Sequence, residues 1–232
     1  MKKKITLAIE TAVRGGSLSI LEGEKEIDYW IGETGISKVE DILEQILRLI
    51  KVNRIEKKEI DLIAVSRGPG SFTGARIGLA TALGLKTAWN CEIVGVSVFE
   101  AMLLKAKKNG RVITAIPVGR KQISWQLFDN ENPPGKAQNA TPASGTISIF
   151  LKSLTTDKSA SFILQGGLHQ IVLDEDRSIE ESRIEFVNNK IATLIGLNGQ
   201  IENRFKKCQR NNSEKRRFTS DNIKVIYPTG KL

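Results

Sequence analysis

One stretch of the chain limits its fold more than any other. The apolar run Asp61-Leu62-Ile63-Ala64-Val65 leads through Ser66-Arg67 into Gly68-Pro69-Gly70 and then, without a spacer, into a segment of helical character opening at Ser71. A short apolar run closed by glycine and proline predicts a buried strand ending in a tight turn. A serine directly after that turn predicts the N-cap of a helix over 71–89. Small residues recur every four positions in that helix along two separate lines, Gly74, Gly78 and Ala82 on one and Ala80, Gly84 and Ala88 on the other. Glycine inside a helix costs about 1 kcal/mol relative to alanine. Close approach of another backbone is the expected compensation.

The flanking sequence supplies the rest of a layered α/β unit. Three short strands are predicted over 4–31, separated by Gly15-Gly16 and by Glu22-Gly23-Glu24, and their close spacing calls for an antiparallel meander. The period then changes. Ser37-Lys38-Val39-Glu40 has the form of a capping box, and Val39, Ile42, Leu43, Ile46, Leu47 and Ile50 form an apolar stripe at helical spacing over 37–51. A further helix is expected from near Glu56, a strand at Ile93-Val94-Gly95-Val96, and a helix capped by Ser97 that turns Phe99, Met102, Leu103 and Ala106 inward. Three strands followed by helix, strand, helix, strand and helix is the order of a ribonuclease H-like, actin-like subdomain, which comes in stacked pairs. The second half fits more faintly. It offers a hairpin at 112–128, a turn at Pro133-Pro134-Gly135, a helix over 146–154, a strand at 161–165 and helical spacing over 191–205. The expected fold class is therefore α/β, with two such subdomains, mixed sheets flanked by helices and the second degenerate. They divide as 1–108 with the helices of interest and 109–232 with a basic tail segment. No internal repeat is visible in the sequence.

Composition removes several function classes. A chain of 232 residues with 40% hydrophobic content suits an ordinary globular protein. No apolar run approaches the ~20 residues of a membrane span. Glu10 interrupts the one segment that follows a basic start, so a cytoplasmic location is expected. Cys91 and Cys208 stand alone, and with His169 as the single histidine they make neither a disulfide framework nor a metal set. The formal charge of +9 is concentrated near the end, where Arg204, Lys206, Lys207, Arg210, Lys215, Arg216 and Arg217 face only Glu202 and Glu214. Such a run reads either as a solvated linker or as a patch for RNA phosphates, with Lys206, Lys207, Arg210, Arg216 and Arg217 as the candidate contacts.

Two kinds of chemistry can be tested directly. The glycine turn lacks the Gly-Lys-Ser/Thr of a nucleotide-binding P-loop. Gly70-Ser71-Phe72-Thr73-Gly74 places its serine in a helix cap rather than at a nucleophile elbow, which leaves His169 with no nucleophile to serve. The 71–89 helix is apolar or small on nearly all sides, interrupted by Arg76, Thr81, Lys86 and Thr87. A helix of that kind is buried all round, which implies a partner on the side away from the sheet or a central position within the chain.

The run from Ser66 to Ala80, Ser-Arg-Gly-Pro-Gly-Ser-Phe-Thr-Gly-Ala-Arg-Ile-Gly-Leu-Ala, resembles the signature of the TsaB family, also known as YeaZ or glycoprotease-like proteins. The likeness covers roughly the first hundred residues. It implies a non-catalytic subunit of the bacterial complex that forms threonylcarbamoyladenosine on tRNA, next to the anticodon. The partners so implied are the catalytic subunit TsaD, the ATPase TsaE and, through the complex, tRNA, with a homodimer as an alternative pairing. The helices at 37–51 and 71–89 would carry the contact through Val39, Ile42, Leu43, Ile46, Ser71, Phe72, Gly74, Ala75, Arg76, Gly78, Leu79 and Ala82. No cofactor is expected on this chain alone, and ATP and Mg²⁺ belong to the complex. Glu10 and Thr11 occupy the place of a vestigial nucleotide site, where Ala12 and Val13 stand instead of the hydroxyl residues more usual in the family. An actin-like ATPase or phosphotransferase using Glu10, and behind it a peptidase, are the rival readings.

Overall fold

The computed structural model describes residues 3–33, 41–107, 110–119, 122–129, 141–156, 159–175 and 179–212. Among these, the first part of the chain forms β1 (Ile5–Glu10), β2 (Ser17–Glu22), β3 (Lys25–Ile31), β4 (Ile60–Ser66) and β5 (Glu92–Val96), in the sheet order β3-β2-β1-β4-β5. The first three strands are antiparallel, as short turns require, and β4 and β5 run parallel to β1. Parallel neighbours need crossover connections, supplied here by α1 (Ile42–Val52) and α2 (Phe72–Trp89). Strand residues alternate between two faces. Leu7, Ile9, Leu18, Ile20, Ile63 and Val65 meet Ile42, Ile46, Leu49 and Ile50 of α1 and Ala82 and Leu85 of α2. On the opposite face Leu62, Ala64, Val94 and Val96 pack with α3 (Val98–Leu103) and with Ile191, Leu194 and Ile195 of α6 (Ile191–Asn212). Burial on both faces explains why β1 and β4 read as almost unbroken apolar runs.

The second part repeats this wiring. β6 (Arg111–Val118), β7 (Gln122–Asp129), β8 (Ala143–Thr146), β9 (Ser161–Gln165) and β10 (Ile184–Val187) are ordered β10-β9-β6-β7-β8, with α4 (Ile147–Thr156) and α5 (Leu168–Glu175) as the crossovers. β6 to β8 are antiparallel, and β9 and β10 are parallel to β6. The topology of the first sheet is thus reproduced strand for strand, although no repeat is legible in the residues. The last helix then returns to the first sheet. Ala192 N–H donates to Ser17 Oγ (3.0 Å), Gln200 Nε2 donates to Thr6 Oγ1 (3.2 Å) and to Gly23 O (2.7 Å), and Asn203 Nδ2 donates to Glu92 Oε2 (2.7 Å). A division of the chain at 108 leaves this helix with the other half.

Some local expectations change. The helix expected from Glu56 is one 3-10 turn, Lys57–Glu59, closed by reciprocal bonds between Glu56 and Glu59. β4 begins at Ile60, so the connection has no room for more. Ser97 stands at the N-cap of α3 but makes no side-chain cap bond; its carbonyl accepts from Ala101 N–H (3.0 Å) instead. β8, α5 and β10 are additional to the elements expected from sequence. The Ser37-Glu40 box and the Pro133-Pro134-Gly135 turn lie outside the described residues. Among the described residues no helix is long and apolar enough to cross a membrane.

Candidate functional site

The turn between β1 and β2 and the start of α2 are built as one unit. Glu10 is buried at the end of β1, and its Oε1 accepts from the N–H groups of Ala12 (2.6 Å) and Val13 (2.9 Å). Burial raises its carboxyl from 4.5 to about 7, against the lowering effect of the Val13 and Ala12 amides and the Ser66 hydroxyl. Thr11, equally buried, donates its hydroxyl to Gly74 O (2.7 Å), and Ser71 N–H donates to Ala12 O (2.6 Å). Ser71 Oγ accepts from Gly74 N–H (3.1 Å), so the serine is the N-cap that the sequence calls for. A Cβ on Gly70 would collide with Ala12 O, one on Gly74 with Thr11 O, and one on Gly78 with the Thr11 hydroxyl. The glycines are there because another segment of the same chain presses on the helix.

That contact corrects the assignment of the small-residue stripe. Gly74, Ala75, Gly78 and Ala82 are buried within the chain, the glycines against the β1–β2 turn and Ala82 in the core under α1 and α2. They cannot form an outer docking surface. Ile42 and Ile46 are likewise core residues, at 2% and 0% exposure. Ser71 is spent on its cap. Val39 lies outside the described residues. Of the residues expected to meet a partner, Leu43, Ser71, Phe72 and Arg76 remain exposed and Leu79 half-buried, with the Arg76 guanidinium 3.5 Å above the Phe72 ring. Glu10 and Thr11, expected as a vestigial nucleotide site, face inward and are engaged with the chain's own backbone.

The structure adds what the first stripe lacks. Ala80, Gly84 and Ala88 are exposed, and a Cβ on Gly84 would meet nothing within 4 Å. Leu83 of the same helix is 39% exposed, and Leu43 and Leu47, one turn apart on α1, are 46% and 40% exposed. Both helices cover the same face of the first sheet. Their outward sides present these small and aliphatic residues among exposed charged ones such as Glu44, Arg48 and Lys86. The signal for this was present in the sequence as the second line of small residues.

The remaining candidates are dispersed. His169 sits beside Gly166, with Nδ1 3.2 Å from its carbonyl, and its ring packs on Phe186 at 4.8 Å. Lys206, Lys207 and Arg210 fall within α6, which runs to Asn212, so the first part of the basic stretch is helix rather than linker. Arg216 and Arg217 lie outside the described residues.

Comparison with known proteins follows the same outline. Residues 36–133, which include α1 and α2, match the family described as TsaD: tRNA N6-adenosine threonylcarbamoyltransferase. The tRNA threonylcarbamoyladenosine biosynthesis protein TsaB of Buchnera aphidicola (subsp. Baizongia pistaciae) is 29% identical over 84% of this chain and 90% of its own length. TsaB of Escherichia coli K12 is 30% identical over 54% of this chain and 55% of its own. Among solved structures, YeaZ from Pseudomonas aeruginosa superposes with a TM-score of 0.62 at 20% identity, covering 88% of this chain and 94% of that one.

The chain is similar to the TsaB (YeaZ) proteins over most of its length. The α/β fold expected from element order, two mixed sheets flanked by helices, is shared with that structural neighbour.

Proposed function

We propose that this chain takes part in tRNA threonylcarbamoyladenosine biosynthesis as a subunit without catalytic groups of its own. It docks on the catalytic subunit TsaD through the outward sides of α1 and α2. The observation that carries this reading is the second small-residue line. Ala80, Gly84 and Ala88 are open to solvent on α2 along with Leu83, Leu43 and Leu47 are exposed on α1, and an exposed line of small residues lets another helix backbone approach closely. Support for a role other than catalysis comes from the other side of α2. There the carboxyl and hydroxyl that a nucleotide site would use hold the β1–β2 turn.

In this reading the chain binds no nucleotide alone. ATP and Mg²⁺ are handled by the assembly, with TsaE joining it and tRNA bound by the complex. The basic stretch that begins on α6 assists tRNA retention without determining it. A homodimer through α1 and α2 uses the same surface and therefore competes with TsaD. The test is co-purification of the chain with its cognate TsaD, followed by nucleoside analysis of tRNA incubated with the reconstituted components. A stable complex, with modification that depends on both chains, is expected. Failure of the two proteins to associate overturns the reading.

A further inference from the structure

The outward side of α1 does not stop at Leu47. Between the last turns of α1 and the 3-10 turn that precedes β4 lies an open groove of about 500 Å³, floored by Leu47, Ile50 and Ile55. Ile50 is anchored in the core and Ile55 is half-buried, so the floor is fixed from below. The rim is basic. Lys51 and Lys57 are both exposed, and the carboxylate of Glu56, also on the rim, is already paired with Lys58 at 2.7 Å. An aliphatic floor under a cationic rim selects for a ligand with the complementary pattern.

We infer that this groove extends the docking face proposed above and receives an acidic, amphipathic segment of the partner subunit. Its apolar side chains rest on Leu47, Ile50 and Ile55 and its carboxylates meet Lys51 and Lys57. The inference rests on the reading that TsaD covers α1 and α2. A protein segment is favoured over RNA because the floor carries aliphatic side chains, whereas bases bind on aromatic or guanidinium planes.

The experiment measures affinity for cognate TsaD by calorimetry. It compares the wild-type chain, the Lys51→Glu/Lys57→Glu double variant, its neutral counterpart Lys51→Gln/Lys57→Gln, and Leu83→Asp, at low and moderate salt. Thermal melting of each chain alone controls for folding. The charge reversal is expected to weaken binding about tenfold at low salt, the neutral pair to weaken it less, and both differences to shrink as salt rises. If the lysine variants bind TsaD as the wild type does while Leu83→Asp loses binding, the groove lies outside the interface. The inference then fails and the docking face stands. If none of the variants changes binding, the docking face itself is wrong. Unchanged TsaD affinity with weakened tRNA retention would make the lysines phosphate contacts and would equally overturn the proposal.

Discussion

The two halves of the molecule have one wiring and two different fittings. In the first, the connection from β4 enters an 18-residue helix whose inner glycines are pressed by the β1–β2 turn. In the second, the equivalent connection from β9 passes through Gly166-Gly167 into an 8-residue helix, and a Cβ on either glycine would meet nothing within 4 Å. The strands of the two sheets are wired alike, whereas the helices that follow β4 and β9 are not held alike. What distinguishes the halves is whether another segment presses on the glycines at the helix start. In the first half the β1–β2 turn does so, and α2 is held on its inner side.

The sharpest way to break this comparison is Gly78→Leu. Even a Cβ there collides with the Thr11 hydroxyl, so the leucine overpacks the contact between the turn and α2. We expect a loss of about 3 kcal/mol or more, or roughly 10 °C in Tm. Unchanged melting of this variant would mean that the stripe is not pinned.

Next in size is the acid that shapes the turn. The folded-state pKa of Glu10 is raised to about 7 from 4.5. Below 4.5 both folded and unfolded chains hold the proton. Between 4.5 and 7 the unfolded chain releases it first, so stability from this group falls as pH rises through that window and is level above it. Melting of wild type and Glu10→Gln at pH 5 and pH 8 is expected to show the wild type losing ground to the variant at the higher pH. A pH-independent difference between them would remove Glu10 as the source.

The outward faces provide the third contrast. Leu83→Asp on α2 should leave the melting temperature nearly unchanged and reduce TsaD binding by about 30-fold, the scale of an interface hot spot. Ile171→Asp on α5, at 48% exposure the matching surface change in the second half, should leave binding intact. Equal losses from both would mean that the halves share the docking role. The smallest effect is expected of Gly167→Ala, at less than about 0.5 kcal/mol, since the added methyl meets open space. A large loss of stability there, read by denaturant unfolding, would show that the second helix is held as tightly as the first.

Legibility followed the range of the interactions. Strands β1 to β5, the Ser71 cap and the helices after β3 and β4 were readable because alternation, period and capping are local. β8 was not, since Ala143-Ser144-Gly145-Thr146 has no apolar alternation and is a strand only through its pairing with β7. β10 and α5 are short enough for neighbouring elements rather than propensity to decide them. The candidate site was half legible. Both lines of small residues on α2 are visible in the sequence, but nothing local says which of them faces the chain's own turn and which faces outward.

Sequence alone determined the order of elements, the place where a tight turn must launch a helix, and the presence on that helix of two lines too small to fill space by themselves. Tertiary structure alone decided which line was filled from within. The β1–β2 turn closes on Gly74 and Gly78 through Thr11, which is 63 residues before Gly74 in the chain, while Gly84 is left in open space. It also decided that α6 crosses back to cover the first sheet, through Ser17, Thr6 and Glu92. The reason is the same in both cases. Periodicity states that a helix has faces, but a face acquires a neighbour only when distant segments compete to bury it, and that competition is settled by packing across the whole chain.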